Sequence, residues 1–216
     1  PMDHLAFRLA NRVVGNDAGA PALALTITGP TLRFNGDALI ALGGAAMQAD
    51  LDGTPVPYWE AVPVRAGQTL RLRSIRGAGM RTYLAVQGGF AVPAYMGSAA
   101  TFTLGQFGGH GGRTLRTGDV LHLAQREPDP AAARRLPATM VPEYGSSWDI
   151  DVLYGPHGAP DFFTDADIAT FFASAWEVHY NSSRTGVRLV GPKPAWARQD
   201  GGEAGLHPSN IHDNAY

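Results

Sequence analysis

Between residues 24 and 53 the sequence breaks into four short runs, ALTITG, TLRFNG, LIALGG and MQADLDG, each of β-type residues and each closed by glycine. Glycine disfavours a helix interior and suits tight turns. The stretch therefore reads as short strands joined by turns, not as long helices. Leu51-Asp52-Gly53-Thr54 places Asp-Gly at the centre of a hairpin turn. Farther on, Leu70 and Leu72 alternate with Arg71 and Arg73, which predicts a strand with leucines inward and arginines outward. The 27 glycines and 16 prolines, both above average usage, extend this reading over most of the chain.

Two helices interrupt the strands. Residues 3–14 carry Leu5, Leu9 and Val13 four apart, with Ala6 and Ala10 beside them. Asp3 is placed to cap the start and Gly15 to close the end. A second, short helix is expected near Asp165–Ala173, capped by Thr164, with Ile168, Phe171 and Phe172 on one face. Further strands are expected at Ile150–Tyr154, Glu177–Tyr180 and Arg188–Val190. The polar, proline-bearing stretch 125–140 reads as a linker between two β-rich units. The last ten residues hold no strand that closes a sheet, so the second unit is expected to be incomplete. There is also an internal echo. Arg65-Ala66-Gly67-Gln68-Thr69-Leu70-Arg71-Leu72 is similar to Arg116-Thr117-Gly118-Asp119-Val120-Leu121-His122-Leu123, both reading as a tight turn feeding an alternating strand.

Composition excludes several function classes. The net charge is −2, and Lys193 is the single lysine among seventeen basic residues, so neither a nucleic-acid binder nor a membrane-binding basic patch is expected. With no cysteine, disulfides, thiolate metal sites and a cysteine nucleophile are impossible. No apolar run reaches the ~20 residues that span a bilayer, and the first residues do not form a signal peptide. A cytoplasmic location is the default. The opening Pro1-Met2-Asp3-His4 reads as a cut from a longer polypeptide.

The chemistry-bearing residues concentrate in Asp200–Tyr216, DGGEAGLHPSNIHDNAY. Asp200, Glu203, His207, Ser209, Asn210, His212, Asp213, Asn214 and Tyr216 fall within it, beside three glycines that allow close backbone approach. A solvated polar end and a site for a small, planar, polar ligand are both open readings. No metal is expected, because His207, His212 and Asp213 lack a spacing that fixes a geometry. A second cluster, Asn181 to Arg188, reads as a turn whose Ser and Asn bond their own backbone, or as a place where Arg184 and Arg188 offer guanidinium forks to an oxyanion. The glycine loops Gln87-Gly88-Gly89, Gly97-Ser98 and Gly108–Arg113 read mainly as turns, and no nucleotide-binding glycine motif is present. Ser98, Ser147 and Ser182 do not sit in a GxSxG elbow, and Lys193 lies in the rigid Gly191-Pro192-Lys193-Pro194 turn, which argues against a hydrolase.

Taken in order, Gly29–Asn35, Tyr83–Gly89, Gly97–Thr101 and Gly108–Asp119 resemble the family named for subunit 2 of allophanate hydrolase. That family includes the C subunit of bacterial 5-oxoprolinase and the carboxyltransferase region of urea carboxylase. Two segments narrow the resemblance to the urea carboxylase branch. Met2–Arg12 resembles the linker helix joining its two homologous halves. Gly186–Pro194, with Ala197-Arg198 and Asp200–Asn210, resembles its closing segment. The resemblance implies a mainly β fold of cyclophilin-like β-barrel units with a few short helices. It implies a linker helix over 1–22, a first unit over 23–124, a linker over 125–140 and a partial second unit over 141–216. It implies transfer of a carboxyl group from carboxybiotin to urea nitrogen, giving allophanate. The biotin would be carried on another domain or chain, and ATP and bicarbonate used elsewhere. Partners would be biotin carrier and biotin carboxylase domains, the homologous subunit 1-type half and allophanate hydrolase. In that chemistry Asp200, Glu203, Asp213 and Tyr216 are the catalytic candidates. His207, Ser209, Asn210, Asn214, Arg184 and Arg188 are the substrate-binding ones. No ATP-grasp region and no Met-Lys-Met biotinylation motif is present, so the chain is expected to be inactive alone. Guanidine carboxylase, a 5-oxoprolinase C-type subunit and a non-catalytic kinase-regulating module are the alternatives.

Overall fold

A computed structural model describes residues 1–124, 134–155, 157–182 and 186–198. The chain divides into two compact units, Pro1–Trp148 and Asp149–Tyr216. Residues 134–148, read above as linker and as the start of the second unit, thus lie with the first.

The first unit is a helix, α1 (His4–Val13), followed by eight strands. These are β1 (Leu23–Thr26), β2 (Thr31–Arg33), β3 (Ala38–Gly44), β4 (Met47–Leu51), β5 (Thr54–Pro55), β6 (Val62–Val64), β7 (Thr69–Ile75) and β8 (Arg81–Val86). They form two antiparallel four-stranded sheets, β1-β8-β3-β6 and β2-β7-β4-β5. The chain crosses from one sheet to the other at Thr26–Thr28, where Ile27 takes a positive φ and bonds to strand ends of both: its N–H donates to the Met80 carbonyl and its carbonyl accepts from Ile75 N–H. The architecture is mainly β and barrel-like, but the barrel is not closed among the described residues.

The core lies between the sheets. Ile40, Leu42, Met47, Leu51, Leu70, Leu72, Leu84 and Val86 form it. As the alternation predicted, Leu70 and Leu72 are inside and Arg71 and Arg73 outside. The Asp52-Gly53 turn joins β4 to β5 with both residues at positive φ, the geometry whose twist matches that of the flanking strands.

Strand β3 has no exposed residue. Its inner side chains enter the core, and its outer ones, Leu39 and Ala41, are covered by α1 together with Ala85 of β8. A sheet buried on both faces calls for a continuous apolar strand instead of an alternating one, which explains the run LIALGG. The covering stripe is Ala6, Leu9, Ala10 and Val13, at the i, i+3, i+4, i+7 spacing of one helix face. Leu5 lies off that stripe and is 51% exposed, so the Leu5-Leu9-Val13 reading was one residue wrong at its start. Small residues at the contact bring the helix close. A Cβ added to Gly43 would lie 2.7 Å from the Trp59 ring and 3.0 Å from the Ala10 Cβ.

Polar bonds fix both helix ends. Asp3 Oδ1 accepts from Ala6 N–H at 2.9 Å, and Asp3 Oδ2 accepts from the Tyr144 hydroxyl at 2.6 Å. Burial and the neighbouring Asp3 raise the Tyr144 hydroxyl well above its ordinary value. At the other end Gly15 adopts a positive φ, with Gly15 N–H donating to Arg12 O and Asn16 N–H to Asn11 O, a Schellman closure. The fully buried Asn11 donates to Ala20 O and accepts from Asn16, which also donates to Val86 O. Gln87 Nε2 donates to Val14 O, and Gly88 N–H donates to Asn16 Oδ1. The Gln87-Gly88 pair thus ties the end of β8 to the end of α1.

The echoed turns share one geometry. Gln68 N–H bonds Arg65 O while Arg65 N–H bonds Gln68 Oε1; Asp119 N–H bonds Arg116 O while Arg116 N–H bonds Asp119 Oδ2. Gly67 and Gly118 both take positive φ. The strands that follow differ: 69–75 is β7, whereas 120–123 makes only a bridge from Leu123 to Phe90.

In the second unit, α2 (Asp165–Ala173) is capped by Thr164 in a capping box with Asp167, and β9 (Glu177–Val178) pairs with β10 (Leu189–Val190). Residues 150–154 form no strand. The face expected of α2 is only partly covered, with Phe171 41% and Phe172 66% exposed. Asp167 does more than cap. Its carboxylate accepts from the N–H groups of Thr164, Ala195 and Trp196 at 2.9, 2.8 and 3.2 Å, pinning the segment after Lys193 to the helix.

Gly43→Ala is expected to cost about 1–3 kcal/mol through overpacking against Trp59 and Ala10. Urea denaturation would measure it, and a variant as stable as the parent would show that the helix can move away. The bonds to Ala195 and Thr164 lower the Asp167 carboxyl below its ordinary 3.8. A depressed folded pKa contributes stability above the unfolded value, and that contribution is lost as pH falls through the folded one. Hydrogen-exchange protection of the Ala195 and Trp196 amides should therefore hold above about pH 4 and fall in stronger acid. In Asp167→Ala it should already be low at neutral pH.

Candidate functional site

Of the ten residues proposed from sequence as catalytic or substrate-binding, Arg188 is the one whose surroundings are described. Asp200, Glu203, Asp213, Tyr216, His207, Ser209, Asn210, Asn214 and Arg184 lie outside the described residues, as does His212. Arg188 enters β10. Its carbonyl accepts from His179 N–H at 2.8 Å, and its N–H donates to Ser182 Oγ at 3.0 Å. Ser182 Oγ in turn donates to His179 O at 2.7 Å. Ser182 thus bonds the local backbone as a turn residue does. The hairpin presents Arg188 on an exposed strand end, where its guanidinium has no ion-pair partner among the described residues.

The same unit contains a cavity of about 430 Å³. Residues 152–155, His157 and Gly158, helix α2 and the turn at 192–194 line it. Tyr154, Phe163, Phe171, Phe172 and Trp176 share its wall with aliphatic residues, glycines and prolines, and Lys193, His157 and Asp167 supply polar groups. A mostly apolar cavity with a few polar groups is the usual form of a small-molecule pocket. Sequence reasoning set Lys193 aside when it rejected a hydrolase and gave no role to His157. The signal for Lys193 was available: a lone lysine held between two prolines is presented on a stiff turn.

The glycine loop of the first unit is internally satisfied. Arg113 makes a bidentate pair with Asp119, both bonds at 2.7 Å, and Arg116 N–H adds a third at 2.8 Å. His110 Nε2 stands 3.8 Å away. These bonds, the Arg113 pair first, hold the Asp119 carboxyl far below the usual carboxylate range. The neighbouring glycines answer to close packing, since a Cβ on Gly108, Gly109 or Gly112 would collide with Ala100, Thr101 or Gln106. The loop is thus a braced turn.

Among the described residues no group of three or more His, Asp or Glu could hold a metal ion, and no helix is long and apolar enough to cross a membrane.

Comparison with known proteins places this architecture. All 216 residues match the family model described as carboxyltransferase domain, subdomain A and B. Urea amidolyase of Saccharomyces cerevisiae is 47% identical over 221 aligned residues, which cover 100% of this chain and 12% of that protein. The putative urea carboxylase of Emericella nidulans is 43% identical over 217 residues, covering 100% of this chain and 17% of that protein. The crystal structure of the Kluyveromyces lactis urea carboxylase superposes with a TM-score of 0.85 at 44% identity, over 100% of this chain and 20% of that one. The chain thus spans a fifth or less of the length of these relatives. With the whole of its length matched by the family model, the chain belongs to the carboxyltransferase domain family, subdomain A and B.

Proposed function

We propose that the chain is the carboxyltransferase region of a larger biotin-dependent enzyme that moves a carboxyl group onto a urea nitrogen, giving allophanate. The observation that carries this reading is the 47% identity to a urea amidolyase, sustained across the whole chain. Biotin, carried on another domain or chain, would bring the carboxyl group as a labile N-carboxylate, made with ATP and bicarbonate elsewhere in the enzyme. In the transfer the carboxyl group would leave the carrier nitrogen and bond to a urea nitrogen, and the proton given up by the urea nitrogen would end on the carrier nitrogen. This chain's residues have three tasks: binding a planar diamide, accepting that proton and neutralising charge as it develops.

Asp200, Glu203 and Asp213 are the candidates for accepting the urea proton or hydrogen bonds from its N–H groups. Tyr216 is a donor to an oxygen on which charge grows. His207, Ser209, Asn210 and Asn214 supply the mixed donors and acceptors that orient urea. Arg184 and Arg188 offer guanidinium forks to the carboxylate being transferred. A biotin carrier, a biotin carboxylase, the subunit 1-type half and, in a fused or coupled arrangement, an allophanate hydrolase are the partners. The cytoplasm is the compartment.

Urea-dependent ATP turnover by the full-length protein tests this. Asp213→Ala should lower it by about 10²-fold or more, the usual worth of a positioned proton acceptor, and Asn210→Ala should lower it by loosening the hold on urea. Biotin carboxylation without urea should persist in both variants. Turnover stimulated by guanidine but not urea would change the substrate. Stimulation by neither would overturn the reading.

A further inference from the structure

The cavity of the second unit holds a cation that its apolar walls do not require. Lys193 lines it, and its ammonium makes no ion pair or hydrogen bond among the described residues. It is the single lysine among seventeen basic residues. An ammonium is a compact charge whose three donors can turn toward a ligand, whereas a guanidinium fork is fixed. The turn that carries Lys193 is fastened on both sides. Before it, Gly191 lies so close to the Trp176 indole that a Cβ there would collide with the ring. After it, the Ala195 and Trp196 N–H groups donate to Asp167 at 2.8 and 3.2 Å. In between, Pro192 and Pro194 each fix a φ. Trp176 is tied to α2 in turn, its Nε1 donating to Phe171 O at 2.8 Å. The carboxylate in the wall, Asp167, is already taken up by these N–H groups and that of Thr164.

We propose that this cavity binds a carboxylate borne on a compact ring, with the ring against the aromatic wall and the carboxylate on Lys193 Nζ. Three features select this ligand. The volume of about 430 Å³ lies toward the lower end of the ~300–1,000 Å³ of small-molecule pockets, which suits a ring better than a long acyl chain. Phe171 stands 5.6 Å from Trp176 and 5.2 Å from Phe172 between ring centroids, and a further ring can join such a cluster edge-on or offset. One cation on a braced turn answers to one negative charge, and a charge-assisted bond to a carboxylate is the strong way to meet it. The ligand chemistry has two sources: a free small molecule or, resting on the carboxyltransferase reading above, the N-carboxylated ring of the carrier's biotin.

Acetylation of Lys193 in the full-length protein, read by mass spectrometry, tests the site without relying on activity. Benzoate is the probe for the free source. At about ten times its Kd it should slow labelling of Lys193 about tenfold and leave lysines outside this chain unaffected. Benzamide, which has the ring without the charge, should not protect. In a separate arm, ATP and bicarbonate without urea keep the carrier's ring carboxylated. Protection there assigns the site to the carrier; protection by benzoate alone assigns it to a free carboxylate. Protection in neither arm would overturn the proposal. Equal protection by benzamide, or protection by a straight-chain fatty acid and not by benzoate, would do the same. So would a Lys193 that labels slowly under every condition, because another part of the protein would then cover the cavity. Saturation-transfer NMR of benzoate adds a second measurement: Lys193→Met should weaken binding about tenfold or more, the worth of a bond to a charged group, and Lys193→Arg should retain most of it. Unchanged binding in Lys193→Met would count against the proposal. Absence of urea-dependent turnover in the unaltered protein would sink the carboxyltransferase reading alone, because the benzoate arm does not depend on it.

Discussion

The contact on which the first unit depends is the one between α1 and the outer face of β3 and β8. A four-stranded sheet needs one apolar face to make a core; this sheet has two, because Leu39, Ala41 and Ala85 point away from the other sheet. Without the helix those side chains would meet water at about 25 cal/mol for each Å² exposed. The helix can cover them only at close range, which its alanines and Gly43 permit. It cannot slide, because Asn16 donates to the Val86 carbonyl at the end of β8, Gln87 Nε2 donates to the Val14 carbonyl at the helix end, and Asn11 donates to Ala20 O in the loop that follows. The glycine-rich segment after β8 thus has a structural purpose: it brings backbone donors to the side chains that end the helix.

Much of this was legible because it follows from short-range rules. The cap at Asp3, the closing glycine at 15 and the Asp52-Gly53 hairpin are local chemistry, and each stands where the residues placed it. The misreadings are tertiary. Leu5 has the right spacing for the buried stripe, yet the stripe runs through Ala6, because close packing rewards a small residue where a leucine would hold the helix off. Residues 150–154 have strand-like side chains but pair with no neighbour among the described residues, and β propensity alone does not create a partner. The echoed turn at 116–119 reproduced its bonds because four residues define them; the strand after it did not follow, because a strand needs a second one to pair with.

Legibility of the site ran the other way. The candidate residues of Asp200–Tyr216 rest on a density of residue types and on resemblance, and they lie outside the described residues. His157 had no such signature, because the cavity is assembled from segments far apart in sequence, here 152–155 with 157–158, α2 and 192–194. Periodicity cannot bring those segments together.

The described carboxylates sharpen where a proton acceptor should be sought. Asp37, Asp119 and Asp167 are all made stronger acids by the donors around them: Ala66 and Arg65 for the first, Arg113 and Arg116 for the second, Ala195 and Thr164 for the third. A carboxylate saturated with donors holds its place but gives up basicity, since each bond favours the charged form. Such groups brace turns and termini, as these three do. A base for a urea nitrogen needs the reverse, a carboxylate with lone pairs left open toward the substrate and an acidity that has not been strengthened. Their own hydrogen bonds thus make these three aspartates poor proton acceptors, and Asp200, Glu203 and Asp213 are the acceptors we propose.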